Sequence, residues 1–213
     1  MTKKIAVLVS GGGTNLQALI DAQDRGELGG GVLTAVVSSA PGVFALERAQ
    51  KAGIPTYVIS RKDFPDSAAM TRAITAQLQA LEIDLVVLAG FLHILTSEIV
   101  RAFPNAILNV HPALIPSFCG KGAYGLHVHE QALAYGVTVT GATVHLVNEQ
   151  ADGGPIVLQK AVDILPDDTP ETLQRRVMEQ AEWILLPRAV SLFCQDQLAV
   201  EGRAVRILGD AML

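Results

Sequence analysis

Residues 108–116 read Leu-Asn-Val-His-Pro-Ala-Leu-Ile-Pro, so an apolar run ends where an amide, an imidazole and two prolines follow. Alternate residues of a strand point to the same face, and a strand that ends here directs Asn109 and His111 to one point. An amide donor can stabilise an oxyanion while a histidine moves protons, which indicates an acyl-transfer centre. The alternative is a turn whose polar side chains bond only the nearby backbone.

Apolar runs of the same kind recur earlier in the chain and are typical of strands buried on both faces of a parallel sheet. They lie at residues 4–9, 33–37, 84–90 and 106–110. Segments with helical spacing separate them, at residues 16–20, 42–52 and 63–81. This alternation predicts an α/β fold, an open, twisted, mainly parallel sheet with helices on both faces. Ligands of such sheets bind beyond the carboxyl ends of the strands, so the loops after Val9, Leu88 and Val110 are expected to line one crevice.

The pattern changes after residue 125. A helix at residues 126–135 precedes a period-two strand at residues 137–147, with Gly141 at a bulge, and a returning strand at residues 156–162. These strands predict an antiparallel edge toward the C-terminus. A helix from Pro170 to Cys194, kinked at Pro187, and a hairpin over residues 198–207 complete a single domain of residues 1–213.

A glycine loop, Ser-Gly-Gly-Gly-Thr-Asn at residues 10–15, joins the first strand to the first helix. It lacks the lysine of a Walker motif, and Leu16 stands where a dinucleotide fingerprint needs its third glycine. The remaining interpretation is a site for one phosphate, built from the amides of Gly13, Thr14 and Asn15 and the side chains of Thr14 and Asn15. The alternative is a tight turn in which Thr14 caps the helix.

Four other polar residues are candidate partners of this centre or of a metal ion. Asp152, in the connection between the two antiparallel strands, can reach His111 if that connection lies at the crevice end, and would then raise the pKa of His111. Asp152-Gly153 is equally typical of a plain turn. His145 is interpreted as a hydrogen-bonded structural residue. His127 and His129 diverge on a helix and are interpreted as solvated or cap-bonding, with no metal site predicted.

The composition limits the classes of function. The 213 residues are 50% hydrophobic and carry a net charge of -5, which argues against a nucleic-acid surface. No segment approaches the ~18 apolar residues that cross a bilayer, and the run at residues 5–9 is too short for a secretory signal. Cys119 and Cys194 form no disulfide or zinc motif. A soluble cytoplasmic protein without a membrane or nucleic-acid partner is expected.

Five blocks of sequence carry a family resemblance over essentially the whole chain. They are residues 10–16, 88–91, 109–116, 125–129 and 152–156. In this order they resemble the phosphoribosylglycinamide formyltransferase family of purine synthesis. The resemblance implies transfer of a formyl group from 10-formyltetrahydrofolate, as co-substrate, to the amine of 5-phosphoribosylglycinamide by a monomer or homodimer, without a metal.

The resemblance also implies roles for single residues. Asn109 would donate to the oxygen of a tetrahedral intermediate, His111 would shuttle protons, and Asp152 would hold His111. The substrate phosphate would lie on Gly13, Thr14 and Asn15, and Glu182 would contact the amine side of the substrate. Folate would lie against Leu92, His93, Ile94, Leu95, Asn109, Ala151 and Asp152. His93 and Ser67 stand where the family often has arginine, which leaves the contacts of the folate tail open.

The sequence leaves other functions open, both among related enzymes and among non-catalytic proteins. Methionyl-tRNA formyltransferase carries an additional carboxyl-terminal RNA-binding domain, for which 213 residues are expected to leave no space. Formyltetrahydrofolate hydrolase carries an additional amino-terminal regulatory domain, whereas here the first strand is expected to begin at residue 4. A non-catalytic phosphoribosyl- or folate-binding module would use the same fold. The loop at residues 117–124 is expected to be mobile over the crevice.

Overall fold

A nine-stranded sheet forms the centre of the computed structural model, which describes residues 2–209. The strand order is β3-β2-β1-β4-β5-β6-β7-β9-β8. The strands are β1 (Lys3–Val9), β2 (Gly31–Ser38), β3 (Thr56–Val58), β4 (Leu85–Leu88), β5 (Ile107–His111), β6 (Val139–Leu146), β7 (Ile156–Asp163), β8 (Leu198–Glu201) and β9 (Ala204–Ile207). The helices are α1 (Thr14–Asp24), α2 (Phe44–Lys51), α3 (Ser67–Ala80), α4 (Ser97–Ala102), α5 (Leu126–Tyr135), α6 (Pro170–Val177) and α7 (Trp183–Cys194).

The first five strands form the parallel half of the sheet, as the sequence predicts. Alternate residues of β1 enter two different apolar clusters. Ile5, Val7 and Val9 pack with residues of α1 and α7, whereas Ala6 and Leu8 pack with residues of α3 and α4. Both faces of the central strand are therefore covered by helices, which explains why its sequence is apolar without interruption.

The direction of the strands changes at β5. β6 pairs antiparallel with β5, and β7 pairs antiparallel with β6. β8 and β9 form the predicted hairpin, and β9 joins the sheet through a parallel pairing of Ala204 with Ile156. The predicted fold class is confirmed, including the antiparallel strands toward the C-terminus.

Two predicted helices have different limits in the structure. The helix expected from residue 63 begins at Ser67, because Pro65 precedes the N-cap residue Asp66, whose side chain accepts a hydrogen bond from the Ala69 amide at 2.7 Å. The helix expected from Pro170 to Cys194 is interrupted by a π-helical turn, Met178–Glu182, between α6 and α7. The break in regular α-geometry thus precedes Pro187, which lies inside α7.

Gly141 does not mark a bulge, so that prediction is wrong. It pairs in register with Ala161, and the irregularity of the β6–β7 ladder lies between Val144 and His145. Glycine is required at 141 for another reason, since a Cβ atom there would overlap the Lys160 carbonyl oxygen and lie 2.9 Å from the Leu114 side chain. None of the helices within residues 2–209 combines the length and the apolar character needed to cross a membrane.

We expect Gly141→Ala to lower the free energy of unfolding by about 1–3 kcal/mol, because the added methyl group must displace backbone of β7. Urea denaturation monitored by circular dichroism measures the change. Val139→Ala, on an exposed position of the same strand, is the control and should change stability by less than about 0.5 kcal/mol. Equal stability of Gly141→Ala and the parent protein would contradict the close approach of the two backbones.

Candidate active site

Asp152 lies at the centre of a cluster of polar side chains on β5 and β6. Its Oδ1 atom is 3.4 Å from Asn109 Nδ2 and 3.6 Å from His145 Nε2, and its Oδ2 atom is 3.7 Å from His111 Nδ1. The backbone N–H of Gly120 donates to Oδ2 at 2.8 Å. The structure therefore brings together the three residues predicted to be catalytic and adds His145 and Gly120.

The pairing of β5 with β6 explains how these side chains meet. Asn109 and His111 share one face of β5, and Asn109 pairs in register with His145, which projects to the same face. The β6–β7 connection begins beside the start of β5, where the Val147 amide donates to the Ile107 carbonyl. From this connection Asp152, with φ 51°, reaches Asn109, His111 and His145. The contact is expected only if the connection lies at the crevice end of the sheet. It forms although the connection begins at the opposite end of β5.

Asp152 is stabilised as a carboxylate although it is largely buried. Burial raises the pKa of Asp152, but contact with His145, the charge of His111 and the Gly120 N–H together outweigh burial and hold the pKa below its ordinary value. A buried carboxylate that receives several donors has a strong preference for its charged form. The acid is therefore available as a fixed negative charge beside two imidazole rings.

His111 is only 4% exposed and has the opposite preference. Its Nε2–H donates to the Phe118 carbonyl oxygen at 2.8 Å, and a carbonyl can only accept, which fixes the proton of the neutral ring on Nε2. Burial lowers the pKa of His111 and outweighs the opposing effects of Asp152 and Phe118. Asp152 raises the pKa of His111, as predicted, but the net shift is downward because the desolvation of the ring exceeds the attraction of the carboxylate.

His145 belongs to the cluster, which sequence reasoning missed. Its Nδ1–H donates to the Leu146 carbonyl at 2.9 Å, which leaves Nε2 of the neutral ring to accept from Asn109 Nδ2 at 3.1 Å. His145 is hydrogen-bonded, as expected, but its partners are the candidate catalytic residues. The signal that could have found it is the register of β5 against β6, which no local sequence pattern fixes.

The glycine loop forms the start of α1. Gly13 is the N-cap residue with φ 71°, and a Cβ atom there would lie 2.7 Å from the Ala45 Cβ. Thr14 is the first helical residue, so the alternative in which Thr14 caps the helix is wrong. The first amides of a helix have no intrahelical acceptor, which suits an anion.

The side chains of the glycine loop point elsewhere than predicted. Asn15 Nδ2 donates to Glu182 Oε2 at 2.7 Å, and Thr14 Oγ1 lies 3.5 Å from Met178 Sδ. Both contacts tie the start of α1 to the π turn. Burial raises the pKa of Glu182 to about 7, against the lowering effect of the Asn15 hydrogen bond. The predicted phosphate site thus retains its backbone amides, while its side chains are engaged by the π turn.

The predicted folate segment lies beside the glycine loop. The Leu92 amide donates to Ser10 Oγ at 3.0 Å, and Ser10 Oγ lies 2.7 Å from Ser39 Oγ, so the loops after β1, β2 and β4 are joined. Leu92 and Ile94 are 58% and 70% exposed, which is unusual for large apolar side chains. His93 and Leu95 flank Ile94 on the same segment, and Ala151 precedes Asp152 in the β6–β7 connection. Two exposed apolar side chains therefore belong to the segment that is joined to the glycine loop.

The two histidines of α5 differ from each other. His127 is exposed and lies 2.7 Å from Glu130, in agreement with the expected solvated position. His129 is fully buried, and neither ring nitrogen has a hydrogen-bond partner among residues 2–209, so that interpretation is wrong for His129. Burial and the charge of His111 lower the pKa of His129 to about 4. The described residues contain no cluster of three or more side chains suited to a metal ion.

Comparison with known families places the chain in one of them. The model of the family described as formyl transferase matches residues 3–190. The chain belongs to the formyl transferase family. The matched region contains β1 with its glycine loop, the strand that carries Asn109 and His111, the connection with Asp152, and the π turn.

Individual members of the formyl transferase family are similar to the chain over nearly all of its length. Phosphoribosylglycinamide formyltransferase of Haemophilus influenzae is 40% identical over 210 residues, which are 99% of this chain and 96% of that protein. The trifunctional purine biosynthetic protein adenosine-3 of Drosophila pseudoobscura pseudoobscura is 44% identical over 197 residues, 92% of this chain but 14% of that protein. The chain thus spans about one seventh of this longer relative. The crystal structure of glycinamide ribonucleotide transformylase 1 from Symbiobacterium toebii superposes with a TM-score of 0.92 and 42% identity, covering 98% of this chain and 95% of that one.

Alanine at 120 keeps its N–H but disfavours the φ of +88°, so the backbone must rotate and the N–H moves away from Asp152. We expect Gly120→Ala to lower kcat by about tenfold or more, because a charge-assisted hydrogen bond to Asp152 is worth about 1.5–3 kcal/mol. Loss of this donor raises the pKa of Asp152, so the acid limb of the kcat profile should move to higher pH. The measurement is a pH–rate profile of the variant in a formyl-transfer assay.

Gly122→Ala is the matched control for this variant. Gly120 and Gly122 have φ values of +88° and +89°, and a Cβ atom at either position would have open space within 4 Å. The two substitutions therefore impose the same backbone strain at positive φ. Only the substitution at 120 affects an N–H that donates to Asp152. Equal losses in both variants would contradict a role for the Gly120 amide.

Proposed function

We propose that the chain transfers a formyl group from 10-formyltetrahydrofolate to the amine of 5-phosphoribosylglycinamide in purine biosynthesis. The observation that carries the proposal is the convergence of Asn109, His111 and Asp152 on one face of the sheet. The near full-length relation to the Haemophilus influenzae protein supports the choice of substrate.

Formyl transfer requires an amine to attack a carbonyl carbon and a proton to move from that amine to the leaving nitrogen. We propose that Asn109 donates to the oxygen that becomes negative in the tetrahedral intermediate. Its Nδ2 hydrogens face His145 at 3.1 Å and Asp152 at 3.4 Å. The longer contact is the weaker one, so a substrate oxygen replaces it at the smaller cost.

His111 is proposed to carry the proton. The low pKa caused by burial keeps the ring neutral near pH 7, as a base requires. The Phe118 carbonyl holds Nε2–H in the absence of substrate. We propose that substrate displaces this carbonyl, that the ring proton moves to Nδ1 facing Asp152, and that Nε2 then accepts the amine proton. Asp152 stabilises the resulting imidazolium, and His111 Nε2 then gives the proton to the leaving nitrogen of the folate.

The remaining residues are proposed to bind the two substrates. The phosphate would contact the amides of Gly13, Thr14 and Asn15, with Glu182 toward the amine side. The folate would lie along Leu92, His93, Ile94 and Leu95 and reach Asn109, Ala151 and Asp152, where exposed apolar side chains face its rings. This scheme uses 10-formyltetrahydrofolate as co-substrate and needs no metal or nucleic acid.

The organisation of the protein completes the proposal. We propose that residues 1–213 act as a single formyltransferase domain, as a monomer or homodimer. A cytoplasmic location is supported by Cys119 and Cys194, which are both free, since reducing compartments keep thiols unpaired.

We expect Asn109→Ala to lower kcat by about 10²–10³, the usual loss for one oxyanion donor, with a much smaller change in KM for the phosphoribosyl substrate. Steady-state formation of tetrahydrofolate measures both constants. Gln79→Ala, which removes an exposed amide from α3, is the control and should retain full activity.

Incubation with the formyl donor alone tests the reaction itself. A transferase should release little formate until the amine is added, because the attacking nitrogen belongs to the second substrate. Rapid formate release without amine would identify a hydrolase, and no turnover with both substrates would identify a binding module. Either result would overturn the proposed function.

A further inference from the structure

The contact between Asn15 and Glu182 leaves one polar atom without a partner. Both side chains are more than nine-tenths buried, with 8% and 6% of their surface exposed. Asn15 Nδ2 donates to Glu182 Oε2, but Asn15 Oδ1 is buried and has no hydrogen-bond partner among residues 2–209. A buried carbonyl oxygen without a donor costs about 1–3 kcal/mol, so this arrangement of the amide is incomplete without a further group.

The position of this pair in the fold relates it to the glycine loop. Asn15 is the second residue of α1, directly after the N-cap Gly13 and Thr14. Glu182 closes the π turn, Met178–Glu182, whose first residue contacts Thr14. Single π turns inside α-helices are frequent at functional sites because they redirect one side chain. Here the redirected side chain is a carboxyl group held against the start of α1.

The protonation of the Glu182 carboxyl group depends on its immediate surroundings and not on a neighbouring charge. Burial and the Asn15 hydrogen bond are the two influences on its pKa, which lies at about 7. Charged groups on the elements packed around the π turn are engaged or exposed. Arg176 of α6 pairs with Asp168, His145 of β6 faces Asp152, and Asp21, Lys160, Arg175 and Glu179 are exposed. Arg188 lies six positions after Glu182, on a different face of the helix.

We propose that Glu182 is a positioning residue for the phosphate site: when protonated it donates to Asn15 Oδ1, which turns the amide over and presents Nδ2–H to the bound phosphate. The inference rests on the proposed function, since it deepens the phosphate site of that proposal. The proton comes from water when the phosphate binds, and no other bond is made or broken. Toward the phosphate, Glu182 acts through Asn15, and its proposed place on the amine side of the substrate is a separate contact.

Protonation of Glu182 and binding of the phosphate are coupled because the two states of Glu182 leave different atoms of Asn15 without a hydrogen bond. With a carboxylate at 182, the amide donates to it, and Oδ1 is left buried at the start of α1 without a donor. With a carboxyl group at 182, its O–H satisfies Oδ1, and the turned Nδ2–H needs an acceptor. A phosphate oxygen is such an acceptor, so the protonated state is fully satisfied only when the anion is bound. Phosphate binding must therefore raise the pKa of Glu182 and take up a proton.

Calorimetric titration of the full-length protein with ribose 5-phosphate tests this coupling. Above about pH 7 the phosphate group of the probe is almost fully dianionic, so its own titration does not interfere. In two buffers of different ionisation enthalpy, the wild-type protein should take up close to one proton per ligand above pH 7. Its affinity should fall about tenfold per pH unit there, because the free state loses the proton that the bound state retains.

Glu182→Gln should bind with an affinity independent of pH and without proton uptake, because the glutamine amide donates permanently to Asn15 Oδ1. Glu179→Gln, on the exposed side of the same turn, is the matched control and should behave as the wild type. The wild-type proton count requires no variant, so the test stands even if Glu182→Gln fails to fold.

The outcomes separate this inference from the proposed function. Binding without proton uptake, or pH dependence that persists in Glu182→Gln, would overturn the role of Glu182 and leave the phosphate site in place. An absence of binding at every pH would overturn the phosphate site and the role of Glu182 with it.

Discussion

The buried carboxylate of Asp152 is the interaction on which the rest of the site depends. A carboxylate removed from water is unfavourable unless hydrogen-bond donors reach it, and here the Gly120 N–H and the Asn109 side-chain amide donate to Asp152. The imidazole rings of His111 and His145 lie 3.7 Å and 3.6 Å from the same carboxylate. These four groups come from three parts of the chain: β5, β6 and the loop before α5. The negative charge therefore fixes three segments relative to one another, and the mixed sheet supplies the register that lets them meet.

Burial also helps to keep His111 neutral while Asp152 stays charged. Desolvation lowers the pKa of His111, while donors keep the pKa of Asp152 low despite desolvation. A neutral base thus lies beside a permanent anion near neutral pH, which is the division of roles that acid–base catalysis uses. The Phe118 carbonyl contacts His111, and the Gly120 amide contacts Asp152. The loop after β5 therefore makes hydrogen bonds to both the base and the anion.

The sequence predicts the parts of this structure that depend on local patterns. Uninterrupted apolar runs identify the parallel strands, and the two-residue spacing of Asn109 and His111 places both on one face. Features that depend on tertiary contacts were not predictable. His145 requires the β5–β6 register, the sign of the His111 pKa shift requires the amount of burial, and His129 requires knowledge of which face of α5 turns inward. The π turn leaves no signal because hydrogen bonding from i to i+5 uses the same residue types as an α-helix.

Titration of His111 by nuclear magnetic resonance, in the wild type and in Asp152→Asn, is the most direct measurement of the central claim. The account predicts that His111 in the wild type titrates below the ordinary value of about 6.5 and that its pKa falls further in Asp152→Asn, because the carboxylate opposes the effect of burial. Asp167→Asn, which removes an exposed carboxylate after β7, should leave the titration unchanged. A His111 pKa above the ordinary value, or one that does not respond to Asp152→Asn, would contradict the account.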